Sequence, residues 1–403
     1  MRIQTEFKTT LGELAEITGG IPLGNKNAPL PRTLCTNSEE VQSGDCFVAI
    51  RGERFDGNRF LTRAALHGAS LLIAEEAPVF PHPETLLVKD AVKALGAMAE
   101  HYFRSLFLQT VAVTGSVGKT STVAAIRALL AQRYRVHTPE GNRNNALGIA
   151  VTALETPKDA EVAVFEIGTN HPGEVAPLSR LIRPHLAIVT AVGRAHIGNF
   201  GSLEAIQKEK LSISEGLREG GVLLLPWENR AHAPKGAEAR AFSLCSEGEY
   251  RLSNIRACEE STAFDFSSPK RSCLPCRISG RGAPRLSAAL IALAAGEIFS
   301  LTDRELQSGA ESFSLPDGRG ELRRIGGVRL FDDGYNASPE SMLSALLFLS
   351  ARKTGKRIAV LGDMLELGEK SDAFHRAVGR FSALHADVLF FFGEHAETYA
   401  EGA

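Results

Sequence analysis

Residues Val111–Thr122 read VAVTGSVGKTST. The phosphate-loop pattern is G-x-x-x-x-G-K-[ST]. Here the first glycine position holds Val113, and the loop is TGxxGKT. Its context is complete. A short β-branched run, Gln109–Val113, precedes it, and a helix pattern follows, with Val123, Ile126, Leu130 and Tyr134 on one face. Gly115 and Gly118 let backbone N–H groups approach phosphate oxygens, and a helix N-terminus adds its partial positive charge. Lys119 would reach the β/γ-phosphates and the Thr120 hydroxyl would ligate Mg²⁺. Thr114, Ser116, Val117 and Ser121 complete the loop. A glycine turn with an incidental lysine is the competing reading. Strand, GxxGKT and amphipathic helix together favour a Mg²⁺-ATP site, without specifying a reaction.

Working outward, Val162–Ile167 and Leu186–Thr190 are further buried-strand candidates. Strands alternating with helices predict an α/β fold with a parallel sheet covered on both faces. Residues 1–108 mix short apolar runs (Cys46–Ile50, Ser70–Ala74, Leu86–Val88) with turn-rich stretches such as GERFDGNRF. A third zone, 315–403, contains VRLFDDGYN, a helix from about Pro339 to Ser350, and the strands RIAVLG and DVLFFFG. Three domains are expected: 1–108, 109–314 and 315–403. Residues 227–276 read as irregular.

At 44% hydrophobic and 23% charged, the 403 residues have ordinary globular composition, enough for several domains. The net charge of -2 gives no electrostatic reason to expect nucleic acid or an anionic membrane. No apolar run approaches the ~18 residues of a membrane span. The start lacks a signal peptide's apolar core, so a cytoplasmic monomer is expected. Six scattered cysteines are expected to be reduced. Cys273 and Cys276 have metal-ligand spacing but no second pair; two thiols in a β-rich segment is the simpler reading.

Glu166 ends the run VAVFE, where a metal-binding acid belongs if the strand neighbours the loop's strand; a partner-satisfied glutamate is the alternative. His196, in GRAHIGNFG, is a metal ligand or an exposed loop residue. Lys208 and Lys210, in a helix candidate, are solvated lysines by default. Asn142, Asn144 and Asn145 form an amide cluster before a helix, either substrate contacts or a polar turn with an N-cap.

In this order, TGSVGKTS, GNRNNALGIAVTAL, FEIGTNHPGE, AHIGNFGSLEAIQKEK, FDDGYNASPESM and RIAVLGDMLELGE resemble the Mur ligase family. They cover most of 110–210 and 317–380. GDCFVAIRGERFDGNRFLTRAALHGA is similar to the uridine-binding domain shared by the later-acting ligases. TGxxGKT is the family's own form of the loop. GNxNNxxG, ExGxNHxGE and VLGDMLELG are similar to the member that adds D-alanyl-D-alanine.

The resemblance implies three domains: an N-terminal α/β UDP-binding domain, a central ATPase and a Rossmann-like third. It also implies a peptidoglycan-synthesis reaction in which ATP activates a UDP-linked muramoyl-tripeptide carboxylate for attack by D-alanyl-D-alanine. By resemblance, Thr120 and Glu166 hold one Mg²⁺ and His196 a second, and Lys210 is a carbamylated lysine that supplies an anionic oxygen ligand. Ser38, Asn142, Asn144, Asn145, Thr169, Asn170 and His171 lie on the substrate side. Arg319 and Asp333 face ATP, and Tyr335, Asn336 and the loop after Asp363 lie near the dipeptide.

The chain departs from the pattern in four places. The adenine-contacting G-x-H-N-x-x-N element is replaced by SGRGAPRLSAAL. The uridine-side D-S-R is Asn37-Ser38-Glu39, the usual asparagine of YNAN is Ser338, and a KGSRG-like segment expected after the last strand is missing, so 315–403 is expected to be an incomplete third domain. Two alternatives are a sibling ligase adding one amino acid, and a diverged nucleotide-binding protein that no longer ligates.

Overall fold

The structure is a computed structural model that describes residues 1–52, 55–79, 83–245, 247–258, 260–351 and 355–403. Glu53 and Arg54 of GERFDGNRF lie outside the described residues. The chain forms two compact units, Met1–Gln109 with His137–Ala163, and Thr110–Val136 with Val164–Ala403.

The first unit carries a six-stranded sheet. Thr33–Cys35, Cys46–Val48, Leu71–Ala74 and Glu84–Leu87 pair in parallel, with Arg2–Gln4 and Ile21–Leu23 antiparallel at the two edges. The parallel strands are short apolar runs, buried throughout or at their centres, as strands covered on both faces must be. Asp90 caps the helix Ala91–Arg104 by accepting from Lys93 N at 2.9 Å. That helix packs on Ala146–Glu155, and the Tyr102 hydroxyl donates to the Thr156 carbonyl at 2.7 Å.

A nine-stranded sheet runs in the order Arg271–Ser279, Ser261–Ser268, Tyr250–Ala257, Glu238–Ser243, Val222–Pro226, Leu186–Val189, Gln109–Thr114, Val162–Glu166, Val136–His137. The pairs from Gln109–Thr114 out to Tyr250–Ala257 are parallel and the last two antiparallel. The irregular reading of 227–276 is therefore corrected, because Glu238–Ser279 is largely strand. Thr262, Phe264 and Phe266 alternate inward, as do Leu274, Cys276 and Ile278. Pro275 hid that period, but it lies in an edge strand, where a missing N–H is tolerated. Cys273 is exposed and Cys276 buried on the opposite face, its thiol pushed up to about 12 by burial. Two thiols on opposite faces of a strand do not converge on one metal.

Beyond the helices Ala283–Ile298 and Asp303–Ser312 the chain forms the hairpin Glu321–Ile325/Val328–Asp332. It then forms the helix Pro339–Ser350 and the parallel pair Ile358–Leu361/Val388–Phe391, joined through the helix Ser371–His385. Among the described residues, no helix is long and apolar enough to cross a membrane.

Candidate active site

The phosphate-loop strand Gln109–Thr114 pairs in parallel with Leu186–Val189. On its other side Gln109 N donates to the Glu161 carbonyl at 2.9 Å and Ile167 N to the Val113 carbonyl at 2.7 Å. Both partners advance together, so Val162–Glu166 runs the same way and Glu166 stands at its carboxyl end. Gly115 has φ 149°, and a Cβ there would lie 2.0 Å from Thr190 Oγ1. Gly118 has φ 84° and begins the helix Lys119–Leu130. Only glycine takes both positions without strain. The Thr190 hydroxyl donates to the Val117 carbonyl at 2.6 Å and Lys119 Nζ to the Gly115 carbonyl at 2.9 Å, which holds the loop shut around its own backbone.

Glu166 is buried and accepts from the Thr120 hydroxyl at 2.7 Å. The acid and the hydroxyl are thus adjacent, two hard oxygen donors of the kind Mg²⁺ takes.

Lys210 is 2% exposed, which corrects its reading as a solvated lysine. The helix Leu203–Leu211, capped by Ser202, carries it inward with Glu209. Burial, and then Lys119, pull its ammonium down to about 7, against Glu209 and Glu174. Burial lowers Lys119 too, with Glu166 opposing and Arg319 adding. His196 is likewise lowered by burial, with Glu366 opposing and Lys119 and Lys210 adding. Lys119 thus disfavours the protons of both Lys210 and His196, an electrostatic setting that suits phosphate charge. The acids near Lys210 are held from outside. Glu209 accepts from Gly173 N at 2.7 Å and Val175 N at 2.8 Å, and Glu174 from Asn170 N at 2.7 Å and His171 N at 3.1 Å.

In the C-terminal region the Arg319 guanidinium lies 3.8 Å from the Tyr335 ring centroid. Burial raises the Asp333 carboxyl to about 6, against the Gly320 N–H bond and the charge of Arg319. Asn336 is exposed, its Oδ1 accepting from Ala337 N at 2.9 Å. Thr169 is buried and donates to the His171 carbonyl at 2.8 Å, while Asn170 and His171 are exposed.

In the first unit, Asn145 is the N-cap of Ala146–Glu155, accepting from Gly148 N at 2.9 Å. The Asn142 carbonyl accepts from Asn144 N at 2.7 Å. Ser38 is buried, and its carbonyl meets His67 Nδ1 at 2.9 Å.

Three of the departures have local partners. Ser338 caps the helix Pro339–Ser350 in a capping box with Ser341. Glu39 pairs with Arg63 at 3.0 Å. The segment that replaces the adenine element opens the helix Ala283–Ile298, where Arg285 is buried, donates to the Ser279 carbonyl at 3.0 Å and lies 5.7 Å from the Phe313 ring centroid.

Residues 113–296 match the Mur ligase middle domain, and 318–403 match the Mur ligase glutamate ligase domain. The chain belongs to the Mur ligase family. Among relatives in this family, UDP-N-acetylmuramoyl-tripeptide–D-alanyl-D-alanine ligase of Bacillus subtilis is 33% identical over 98% of this chain and 88% of its own length. The Escherichia coli ligase of the same name is 32% identical over 93% of this chain and 83% of its own length. A MurF crystal structure from Acinetobacter baumannii superposes with a TM-score of 0.93 at 29% identity, covering 100% of this chain and 89% of that one. Thermotoga maritima MurF in complex with ADP gives 0.84 at 30% identity, covering 91% of this chain and 86% of that one. Thr120 and Glu166, expected from the sequence to share a metal, are in contact in this Mur ligase, and Lys210 is buried. Sequence reasoning gave no role to Glu174, Glu209, Glu340 or Glu366, although all four lie inside the stretches quoted for the family resemblance.

Proposed function

We propose that this Mur ligase joins D-alanyl-D-alanine to a UDP-N-acetylmuramoyl tripeptide at the expense of ATP, in peptidoglycan synthesis. The tripeptide carboxylate attacks the γ-phosphorus of ATP, ADP leaves, and an acyl phosphate forms. The dipeptide amine attacks the acyl carbon and gives up a proton, and inorganic phosphate leaves. A carboxylate is a poor acyl electrophile, and phosphorylation supplies its leaving group. What the protein adds is positioning and neutralisation of the transferring phosphoryl charge.

In this reading Lys119 and the backbone of 115–120 hold the phosphates. Thr120 and Glu166 fit a Mg²⁺, which when bound offsets phosphate charge. Among the described residues no three His, Cys, Asp or Glu side chains form a metal cluster; a Mg²⁺ held by Thr120 and Glu166 would take its other oxygens from phosphate and water, as that ion usually does. His196 and Lys210 fit a second ion only once Lys210 has reacted with CO₂ to give a carbamate; an amine near neutrality is the form that does so. Arg319 and Asp333 face the nucleotide, Asn144, Asn145, Thr169, Asn170 and His171 the tripeptide side, and Tyr335 and Asn336 the dipeptide.

The observation that supports this reading most is the Thr120–Glu166 contact, which joins the start of the phosphate-loop helix to the carboxyl end of the neighbouring strand. The relatives' names favour the dipeptide over a single amino acid as the incoming amine. The test is phosphate release from ATP by the purified chain with Mg²⁺ and UDP-muramoyl-tripeptide. Release should require D-alanyl-D-alanine and fall at least about a hundredfold in Lys119→Ala. ATP binding without release for any amine would sink the reading.

A further inference from the structure

We infer that Glu366 is a positioning residue for His196: the C-terminal region clasps the segment Gly193–Phe200 and fixes the orientation of that imidazole. This rests on the ligase reading for its kinetic consequence and on geometry alone for its structural one.

The segment is tied to the phosphate loop at one end. The Ser116 hydroxyl donates to the Gly193 carbonyl at 3.1 Å and accepts from Gly193 N at 2.9 Å, and Ser116 N donates to the Ala191 carbonyl at 2.9 Å. From Arg194 onward the C-terminal region adds its own anchors. Arg194 N donates to Glu340 Oε1 at 3.0 Å, and Glu340 opens the helix Pro339–Ser350. His196 Nδ1 bonds to the Glu366 carboxylate, and Gly198 N donates to the Glu366 carbonyl at 3.1 Å. A Cβ on Gly198 would lie 2.6 Å from Gly368 N, so the two backbones touch with no room for a side chain. Ile197 and Phe200 are buried in one cluster with Met342, Leu346, Met364 and Leu367.

His196 and Glu366 both have left-handed backbone, φ 61° and 62°. Neither is glycine, so each conformation is imposed by its surroundings, and strain of this kind marks positions where geometry matters. One residue therefore grips the segment twice, by its side chain on the ring and by its carbonyl two residues on. With Nδ1–H donating to the carboxylate, the ring is held in one tautomer and only Nε2 is left for any other partner. The His196 ring thus acquires its orientation from the C-terminal region, while its segment is anchored on the nucleotide loop.

The test uses the full chain with ¹⁵N-labelled histidine, the His196 signals being assigned by their loss in His196→Gln. In the wild type Nδ1 should carry the proton. Glu366→Ala should move it to Nε2 or average the two forms, and Glu366→Gln, whose amide oxygen still accepts, should restore it. In parallel, kcat for dipeptide-dependent phosphate release should fall by about tenfold or more in Glu366→Ala, with the KM for ATP changed by less than about twofold, and recover in Glu366→Gln. An unchanged tautomer and kcat in Glu366→Ala, or a Glu366→Gln as impaired as Glu366→Ala, would overturn the assignment. If the wild type releases no phosphate with the dipeptide, the ligase reading fails, and the tautomer comparison still decides the role of Glu366.

Discussion

The nine-stranded sheet and the pair Ile358–Leu361/Val388–Phe391 use the same parallel pairing but differ in cover. Every residue of Val162–Glu166, Leu186–Val189 and Val222–Pro226 is buried. In the smaller pair Ala359 is 6% exposed, yet its neighbour Val360 is 64% exposed and Val360's cross-strand partner Phe390 56%. One face packs and the other meets water. The difference teaches where this molecule keeps its rigid parts. The phosphate loop and Glu166 stand on strand ends fixed from both faces, whereas the C-terminal region brings Arg319, Asp333, Glu340 and Glu366 on loops and a helix start. Ile188→Ala should therefore cost about 2–5 kcal/mol in urea unfolding, and Val360→Ala less than about 0.5 kcal/mol. Equal losses would break the contrast.

Two glycines at strand ends sharpen it. In Gly115→Ala the new Cβ meets Thr190 Oγ1 at 2.0 Å and the backbone nitrogens of Thr190 and Ala191 at 3.1 Å, with φ at 149°. Backbone cannot swing aside, so the loop must move; ATP affinity should fall about tenfold or more, a loss of ~1.4 kcal/mol or greater. In Gly362→Ala the three atoms nearest the Cβ all belong to the Phe392 ring, the closest at 2.7 Å, and Phe392 is 61% exposed. It can rotate away, and calorimetric titration with ATP should give the wild-type affinity. Weakened binding in Gly362→Ala alone would invert the comparison.

The covered sheet was the more legible region for the same physical reason. Continuous apolar runs bounded by glycine mark strands buried on both faces, and Val162–Glu166 and Leu186–Val189 fall where those runs predict. The strands of Glu238–Ser279 were missed because none is a continuous buried apolar run and Pro275 interrupts the last. The phosphate loop was legible from local chemistry, Gly115, Gly118 and Lys119 being needed where they stand. Lys210 was not. Nothing in QKEKL says that Lys210 turns inward and Lys208 does not, since that depends on which face of the helix finds cover. Its role entered through family resemblance. Asn145, read as a substrate contact or an N-cap, is the N-cap of Ala146–Glu155. The stretch GNRNNALGIAVTAL, placed by pattern with 109–314, shares a compact unit with Met1–Gln109, because a helix pattern does not name the surface it packs on.

The smallest expected effect concerns Lys210 itself. Its ammonium is pulled from 10.5 down to about 7 by burial and then by Lys119. A lysine whose folded pKa is lowered binds fewer protons folded than unfolded between those two values, so stability rises with pH across that window. Below about 7 both states are protonated and the penalty of burying the cation is fully present; above about 10.5 it is gone. Lys210→Met removes the titrating group and keeps the apolar stem. In CO₂-free buffer, because a carbamate would mask the amine, the melting temperature of Lys210→Met should exceed that of the wild type most near neutrality. The gap should close as pH rises through the window. A gap independent of pH would mean that Lys210 is solvated in both states, and that the fold does not hold it as a neutral amine.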